Sequence, residues 1–262
     1  MSTDHEVKEY ETIIYEKTGR IASITLNRPD KHNAMNYQML DDLDDVLDYA
    51  EEDESTNVLV LKANGKSFCS GFDLKGSYYI TPPDGEWTYR NSYMILQKKI
   101  YSKYTRLFNY PKITIAQIHS RCTDGGCYLQ LCCDISVAAD EAQFGHPAQK
   151  WGGSVSTPLF HAYMGHRKAR YFLMSGRLFD GTEAADMGLV SFSVPGAELE
   201  DEVNKLAAEI GDIPRDGALH NKITQNLAMK IQGVDAMFDY FAQMNRYSRF
   251  FGQEWKKDRV DL

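Results

Sequence analysis

The chain has 262 residues, 43% of them hydrophobic, with 37 acidic against 29 basic side chains for a net charge of −8. That is enough apolar sequence to bury one sizeable core, and the acidic balance argues against a general nucleic-acid or membrane-surface binder, which presents a basic face. No apolar run approaches the roughly 20 residues needed to cross a bilayer, and the polar start Met1–Glu9 lacks a signal-like apolar core, so a cytoplasmic protein is expected.

Taken in order, Thr12–Tyr15 and Ile21–Leu26 read as two strands joined by a turn at Lys17–Arg20, and Pro29 ends that sheet geometry. From Met35 to Ala50 the apolar residues Met35, Met39, Leu43, Val46, Leu47 and Ala50 recur at helical spacing, with aspartates on the other face. The strand Val58–Lys62 leads into a glycine-bearing stretch, Lys66-Ser-Phe-Cys-Ser-Gly-Phe-Asp-Leu-Lys75. Ser77–Trp87 is irregular and aromatic around Pro82-Pro-Asp-Gly85, either a surface loop or a lid over a pocket. Tyr93, Leu96, Ile100, Tyr104 and Leu107 mark a helix ended by Pro111. The strand Ile113–Ile118 then leads to a second glycine turn, Cys122-Thr-Asp-Gly-Gly-Cys-Tyr128, which opens a helix over Gly126–Cys132. Asp134–Ala138 and Ala142–Phe144 are further short strands.

Beyond Gly152 the pattern is helical: Pro158–Met164, Arg167–Ser175, then a short helix capped by Asp180 or Thr182 and stopped by Gly188. Glu198–Ile210, Ala218–Ile231 and Val234–Phe250 complete the chain. The strand–helix–strand order points to an α/β fold. No low-complexity linker or clear repeat is visible. Met237, Phe238, Tyr240, Phe241 and Met244 give the last helix more apolar surface than a solvated helix needs, so it packs on the core or on another subunit. The five cysteines, Cys69, Cys122, Cys127, Cys132 and Cys133, show no recurring Cys-x-x-Cys pair and no histidine at finger spacing. They read as buried free thiols of a reducing compartment, and no metal is expected.

The two glycine turns carry the chemistry. Backbone N–H groups at turns and helix starts have no partner inside the element, and two aimed at one oxygen would stabilise charge developing on a carbonyl. Each turn alone reads equally as an ordinary loop. Together with Asn27-Arg-Pro-Asp-Lys-His-Asn-Ala-Met35 and Ser175-Gly-Arg-Leu-Phe-Asp-Gly-Thr-Glu-Ala-Ala-Asp-Met-Gly-Leu-Val190, in that order and spacing, they resemble the crotonase superfamily of enoyl-CoA hydratases and isomerases. The likeness runs from about Tyr10 to Pro195 and continues more weakly through the C-terminal helices. It implies a crotonase-like ββα spiral core over residues 1–195 and a helical C-terminal region over 196–262 that serves a homotrimer or homohexamer.

The resemblance further implies an acyl-CoA substrate, with coenzyme A entering only as part of it and no other cofactor. The thioester oxygen would sit between the N–H groups of Phe72 and Gly125. Lys31, His32, Ala34, Asp73, Leu74 and Lys75 match the regions that hold the adenine and pantetheine ends. Lys31, His32 and Lys75 also read as plain surface charge.

Where the hydratase pattern has two glutamates, this chain has Tyr128 and Ala148, and the loop Trp151–Thr157 is shortened and lacks its Pro-Gly. Adding water across an enoyl thioester needs one group to activate water and one to protonate the α-carbon. A tyrosine with a pKa of about 10 is a poor base at neutral pH, and alanine supplies nothing. A two-glutamate mechanism is therefore excluded. Tyr128 and His146 are the expected proton-transfer residues, with Asp124, Tyr78, Tyr79 and Glu86 as further candidates. His146 has the most suitable intrinsic pKa but reads equally as a structural histidine. Asp124 is expected to point away or cap the helix, because a bare carboxylate there would oppose an enolate. Tyr78, Tyr79, Trp87, Tyr93 and Trp151 would suit a bulky or cyclic acyl group. The implied function is an acyl-CoA-transforming enzyme. A thioester or carbon–carbon bond hydrolase and a catalytically silent CoA-ester-binding protein are the alternatives.

Overall fold

The computed structural model describes residues 5–73, 100–151 and 157–240. In chain order the strands are β1 (His5–Glu9), β2 (Ile13–Thr18), β3 (Ile21–Leu26), β4 (Val58–Ala63), β5 (Ser67–Cys69) and β6 (Ile113–Ile118). After them come β7 (Arg121–Thr123), β8 (Ile135–Ala139), β9 (Phe144–Gly145), β10 (Leu178–Phe179) and β11 (Phe192–Val194). They form a seven-stranded sheet, ordered β1-β2-β3-β4-β6-β8-β11, and a four-stranded sheet, ordered β10-β9-β7-β5. In the larger sheet β1, β2 and β3 pair antiparallel, and every pairing from β3 onward is parallel.

The chain alternates between the sheets. β4, β6 and β8 are apolar strands of the large sheet, and each is followed within a few residues by β5, β7 or β9 in the small one. A helix or 3-10 turn then returns the chain to the next long strand, so the fold is a spiral of ββα units. The repeat escapes sequence reading because the second strand of each unit is only two or three residues long, too short for an alternating pattern to register. The edge strand β1 escapes for another reason. Its sequence, His-Glu-Val-Lys-Glu, is mostly exposed, and charge on an edge discourages further pairing rather than marking a buried face.

Helix α1 (Tyr37–Glu52) starts where Asn36 accepts a hydrogen bond from the Met39 N–H at 2.9 Å, and its buried face includes Met39, Leu40, Leu43, Val46, Leu47 and Ala50. Helix α2 (Ser102–Phe108) lies within the expected aromatic helix. Every residue of α3 (Gly125–Leu131) is buried, including Gln130, whose amide donates to the Leu189 carbonyl at 3.2 Å and accepts from Ser136 Oγ at 2.7 Å. Helix α4 (Leu159–Ser175) is broken at Gly165, with φ 68° and ψ 170°, where the sequence shows two separate helices. Helix α5 (Gly181–Met187) opens on a capping box made by Asp180, not Thr182, with Glu183, and closes on left-handed Gly188. Helices α6 (Leu199–Gly211) and α7 (Arg215–Ile231) follow, and residues 234–240 are helical. The buried Lys222 ties α7 to the core, its Nζ donating to Asp134 Oδ2 at 2.7 Å and to the Lys112 carbonyl at 3.0 Å. The loop Ser77–Trp87, residues 152–156, and Phe241, Met244 and the remainder of the last helix lie outside the described residues.

Candidate functional site

The two glycine turns meet where the small sheet ends. After β5 the chain passes through Gly71 at φ +101°, a conformation that L side chains rarely adopt. The Met35 N–H donates to the Gly71 carbonyl at 2.7 Å and the Asp73 N–H donates to the Met35 carbonyl at 2.9 Å. Met35 thus forms a parallel bridge to Phe72 by gripping the peptides on either side of it, which turns the Phe72 N–H toward the opposite side. On that side lies the second turn. A β-carbon on Gly71 would stand 2.9 Å from Asp124 Cβ and 3.2 Å from the Gly125 nitrogen. Gly125 is the first residue of α3, where the helix offers its N–H no acceptor. Its α-carbon is overlaid by the Phe72 ring, and a β-carbon on Gly126 would collide with the Cys69 carbonyl. Side chains at these glycines would push the two turns apart.

Arg28 braces the first turn. Its guanidinium donates to the Ala34 carbonyl and, at 3.1 Å, to Asp73 Oδ2. His32 and Asn33 both hold φ 51°. The buried Asn33 amide repays that strain by donating to the Asn64 and Ser67 carbonyls, each at 2.8 Å. His32 Nδ1 sits 3.0 Å from Ser67 Oγ. Of the residues matched to the coenzyme ends, Asp73 is therefore committed to Arg28, His32 is engaged with Ser67, Ala34 is half-buried and Lys31 is exposed. Leu74 and Lys75 lie outside the described residues, as do Tyr78, Tyr79, Glu86, Trp87, Tyr93 and the Trp151 side chain.

Tyr128 and His146 come together. Tyr128 stands one helical turn into α3, between the rings of Tyr104 and Phe160, both edge-on with centroids at 6.1 Å and 5.9 Å. Its hydroxyl is 2.9 Å from His146 Nε2, and both side chains are buried. The parallel register of β7 on β9 pairs Thr123 with Gly145, so the next residues, Asp124 and His146, emerge side by side.

Asp124 departs from one sequence expectation. It does not cap α3 through its side chain. Its Oδ1 accepts the Ala148 N–H at 3.2 Å and faces His146 Nδ1 across 3.5 Å. That nitrogen is buried and has no hydrogen-bond partner among the described residues. The 3.5 Å separation is thus an electrostatic contact, one short step from a hydrogen bond. The backbone at Asp124 is strained, with φ 49° and ψ −119°, a region almost closed to non-glycine residues. Burial pushes the Asp124 carboxyl up to about 6, partly offset by the Ala148 N–H. Burial also pushes His146 below its ordinary value, which keeps the imidazole neutral at pH 7. Ala148 contributes a backbone donor to the group.

All five cysteines are buried free thiols. Burial raises Cys69 and Cys133 to about 12, so neither is a nucleophile at neutral pH.

The enoyl-CoA hydratase/isomerase family model matches residues 16–253. A hydroxycinnamoyl-CoA hydratase-lyase of Pseudomonas fluorescens is 35% identical over 209 residues, covering 77% of this chain and 73% of the relative. A probable enoyl-CoA hydratase of Mycobacterium bovis is 30% identical over 224 residues, covering 84% and 83%. The crystal structure of a probable enoyl-CoA hydratase from Mycobacterium thermoresistibile superposes with a TM-score of 0.86 at 32% identity, covering 94% of this chain and 99% of the other.

Proposed function

Because the chain belongs to the enoyl-CoA hydratase/isomerase family, we propose that it transforms acyl-CoA thioesters through an enolate, using Tyr128 and His146 for proton transfer. The thioester oxygen lies between the N–H groups of Phe72 and Gly125. Charge grows on that oxygen as the α-proton leaves, and fixed donors stabilise it more than they stabilise the ground state. The observation that carries the reading is the contact of the two turns, with the place of a Gly71 β-carbon 3.2 Å from the Gly125 nitrogen. Tyr128 stands three residues on from Gly125 along α3, with its hydroxyl on His146 Nε2. Lys31 and Ala34 lie on the side of the coenzyme nucleotide. The exposed apolar row Ile223, Leu227 and Ile231 on α7 supports a homotrimer or homohexamer.

The Pseudomonas fluorescens relative is named for a hydroxycinnamoyl-CoA, so arylpropenoyl-CoA thioesters are the first substrates to try. The protein is incubated in deuterated water with saturated, alkenoyl and arylpropenoyl CoA esters, each followed by mass spectrometry. Exchange at the α-carbon, hydration or cleavage of the acyl chain supports the reading. Tight binding with no exchange or conversion makes the chain a silent CoA-ester-binding protein and refutes it. One observation favours a second reading: Asp124, His146 and Tyr128 lie in line beside two backbone donors, an arrangement that would also activate water for hydrolysis. Release of free thiol without prior exchange identifies that outcome.

A further inference from the structure

Resting on the proposed enolate chemistry, we infer that Asp124 is a positioning residue that holds the His146 proton on Nδ1, leaving Nε2 to take the proton of Tyr128, so that Tyr128 works as a base. Three observations converge. His146 Nδ1 is buried, lacks a hydrogen-bond partner among the described residues and faces Asp124 Oδ1 at 3.5 Å. His146 Nε2 is 2.9 Å from the Tyr128 hydroxyl. Asp124 occupies a backbone conformation better suited to glycine, and strain of that kind persists only where surrounding structure maintains it. Asn33 meets its own unfavourable φ with two side-chain hydrogen bonds to carbonyls. Among the described residues Asp124 has one side-chain hydrogen bond, from Ala148, and turns the same oxygen toward the imidazole.

An anionic acceptor facing Nδ1 favours the tautomer protonated there, and the remaining lone pair on Nε2 then accepts from Tyr128 O–H. The step is balanced. The α-C–H bond breaks, its electron pair moves to the thioester oxygen, and the proton joins Tyr128 Oη. The proton already on Tyr128 passes to His146 Nε2, giving an imidazolium beside the Asp124 carboxylate. Reversal returns a proton to the α-carbon, and exchange of the imidazolium proton with solvent labels the substrate. A phenol that is a poor base alone thus borrows the basicity of a neutral histidine.

The test uses the full chain with ¹⁵N-labelled histidine. The signals of His146, one of seven histidines, are identified by their loss in His146→Gln. The wild type is expected to carry its proton on Nδ1. In Asp124→Asn the amide oxygen stays with the Ala148 N–H and the anion is lost, so the proton is no longer held on Nδ1. Asp124→Gly, which relieves the strained backbone, keeps the fold but no longer fixes the tautomer. Both variants should slow α-deuterium exchange about 100-fold or more with KM changed little. A wild-type proton on Nε2 overturns the inference, as does wild-type exchange in either variant. An Nδ1 proton in a wild type that exchanges no acyl-CoA overturns the functional reading alone.

Discussion

Asp124 offers a direct test, because removing its charge should stabilise the protein while damaging the site. The carboxyl is raised from 3.8 to about 6 by burial, so ionising it in the folded state costs about 3 kcal/mol at 1.36 kcal/mol per pH unit. The sign follows from proton binding. Between the unfolded and folded pKa values the folded chain holds more protons, so stability falls as pH rises through that window. The cost is absent below about pH 4 and fully present above about pH 6. Asp124→Asn keeps the oxygen that accepts from Ala148, and asparagine is among the side chains that best tolerate positive φ. Urea unfolding at intervals from pH 4 to pH 8 should show the variant gaining on the wild type by about 1–3 kcal/mol, with the gain complete above pH 7. A difference independent of pH would refute the burial argument. So would a variant that loses ground above pH 6, since the folded carboxylate would then be a stabilised anion.

The packing around the two turns sets further expectations. Gly126→Ala places a methyl against the Cys69 carbonyl and should cost about 2 kcal/mol or more by overpacking, read as a lower urea midpoint with unchanged slope. Arg28→Met keeps most of the side-chain stem but loses the Ala34 and Asp73 contacts. It should cost about 2 kcal/mol and lower kcat on any acyl-CoA that the wild type turns over, as the Phe72 turn loosens. Lys222→Ala strands the Asp134 carboxylate, which among the described residues keeps its bonds from the Thr114 N–H and hydroxyl. Chemical denaturation should register a loss of about 3 kcal/mol, with α-exchange by the folded protein unaffected.

The long strands and helices were legible because each buries a face whose period matches its structure: β3, β4 and β6 in apolar runs, α1 in its 3.6-residue stripe. Gly188 and the break at Gly165 were legible as stops. Of the short strands, β9 overlaps the expected Ala142–Phe144, but β5, β7 and β10 were not legible, since two or three residues carry no period and their place depends on partners distant in sequence. The site divides in the same way. Phe72, Gly125, Tyr128 and His146 could be picked out because glycine turns, a resemblance and an intrinsic pKa single them out. The contact of Asp124 with His146 could not. It follows from the register of β7 on β9, a pairing between residues 22 apart that no local pattern encodes.

That register also answers the objection that a carboxylate beside Gly125 would oppose enolate charge. The Asp124 oxygen accepts from the Ala148 N–H and faces the far nitrogen of His146, so the carboxylate has partners other than the enolate. In the proposed chain of transfer the anion favours the imidazolium, and the imidazole accepts the proton of Tyr128. In that proposal Tyr128, His146 and Asp124 together perform the proton transfer for which neither Tyr128 nor Ala148 alone is suited.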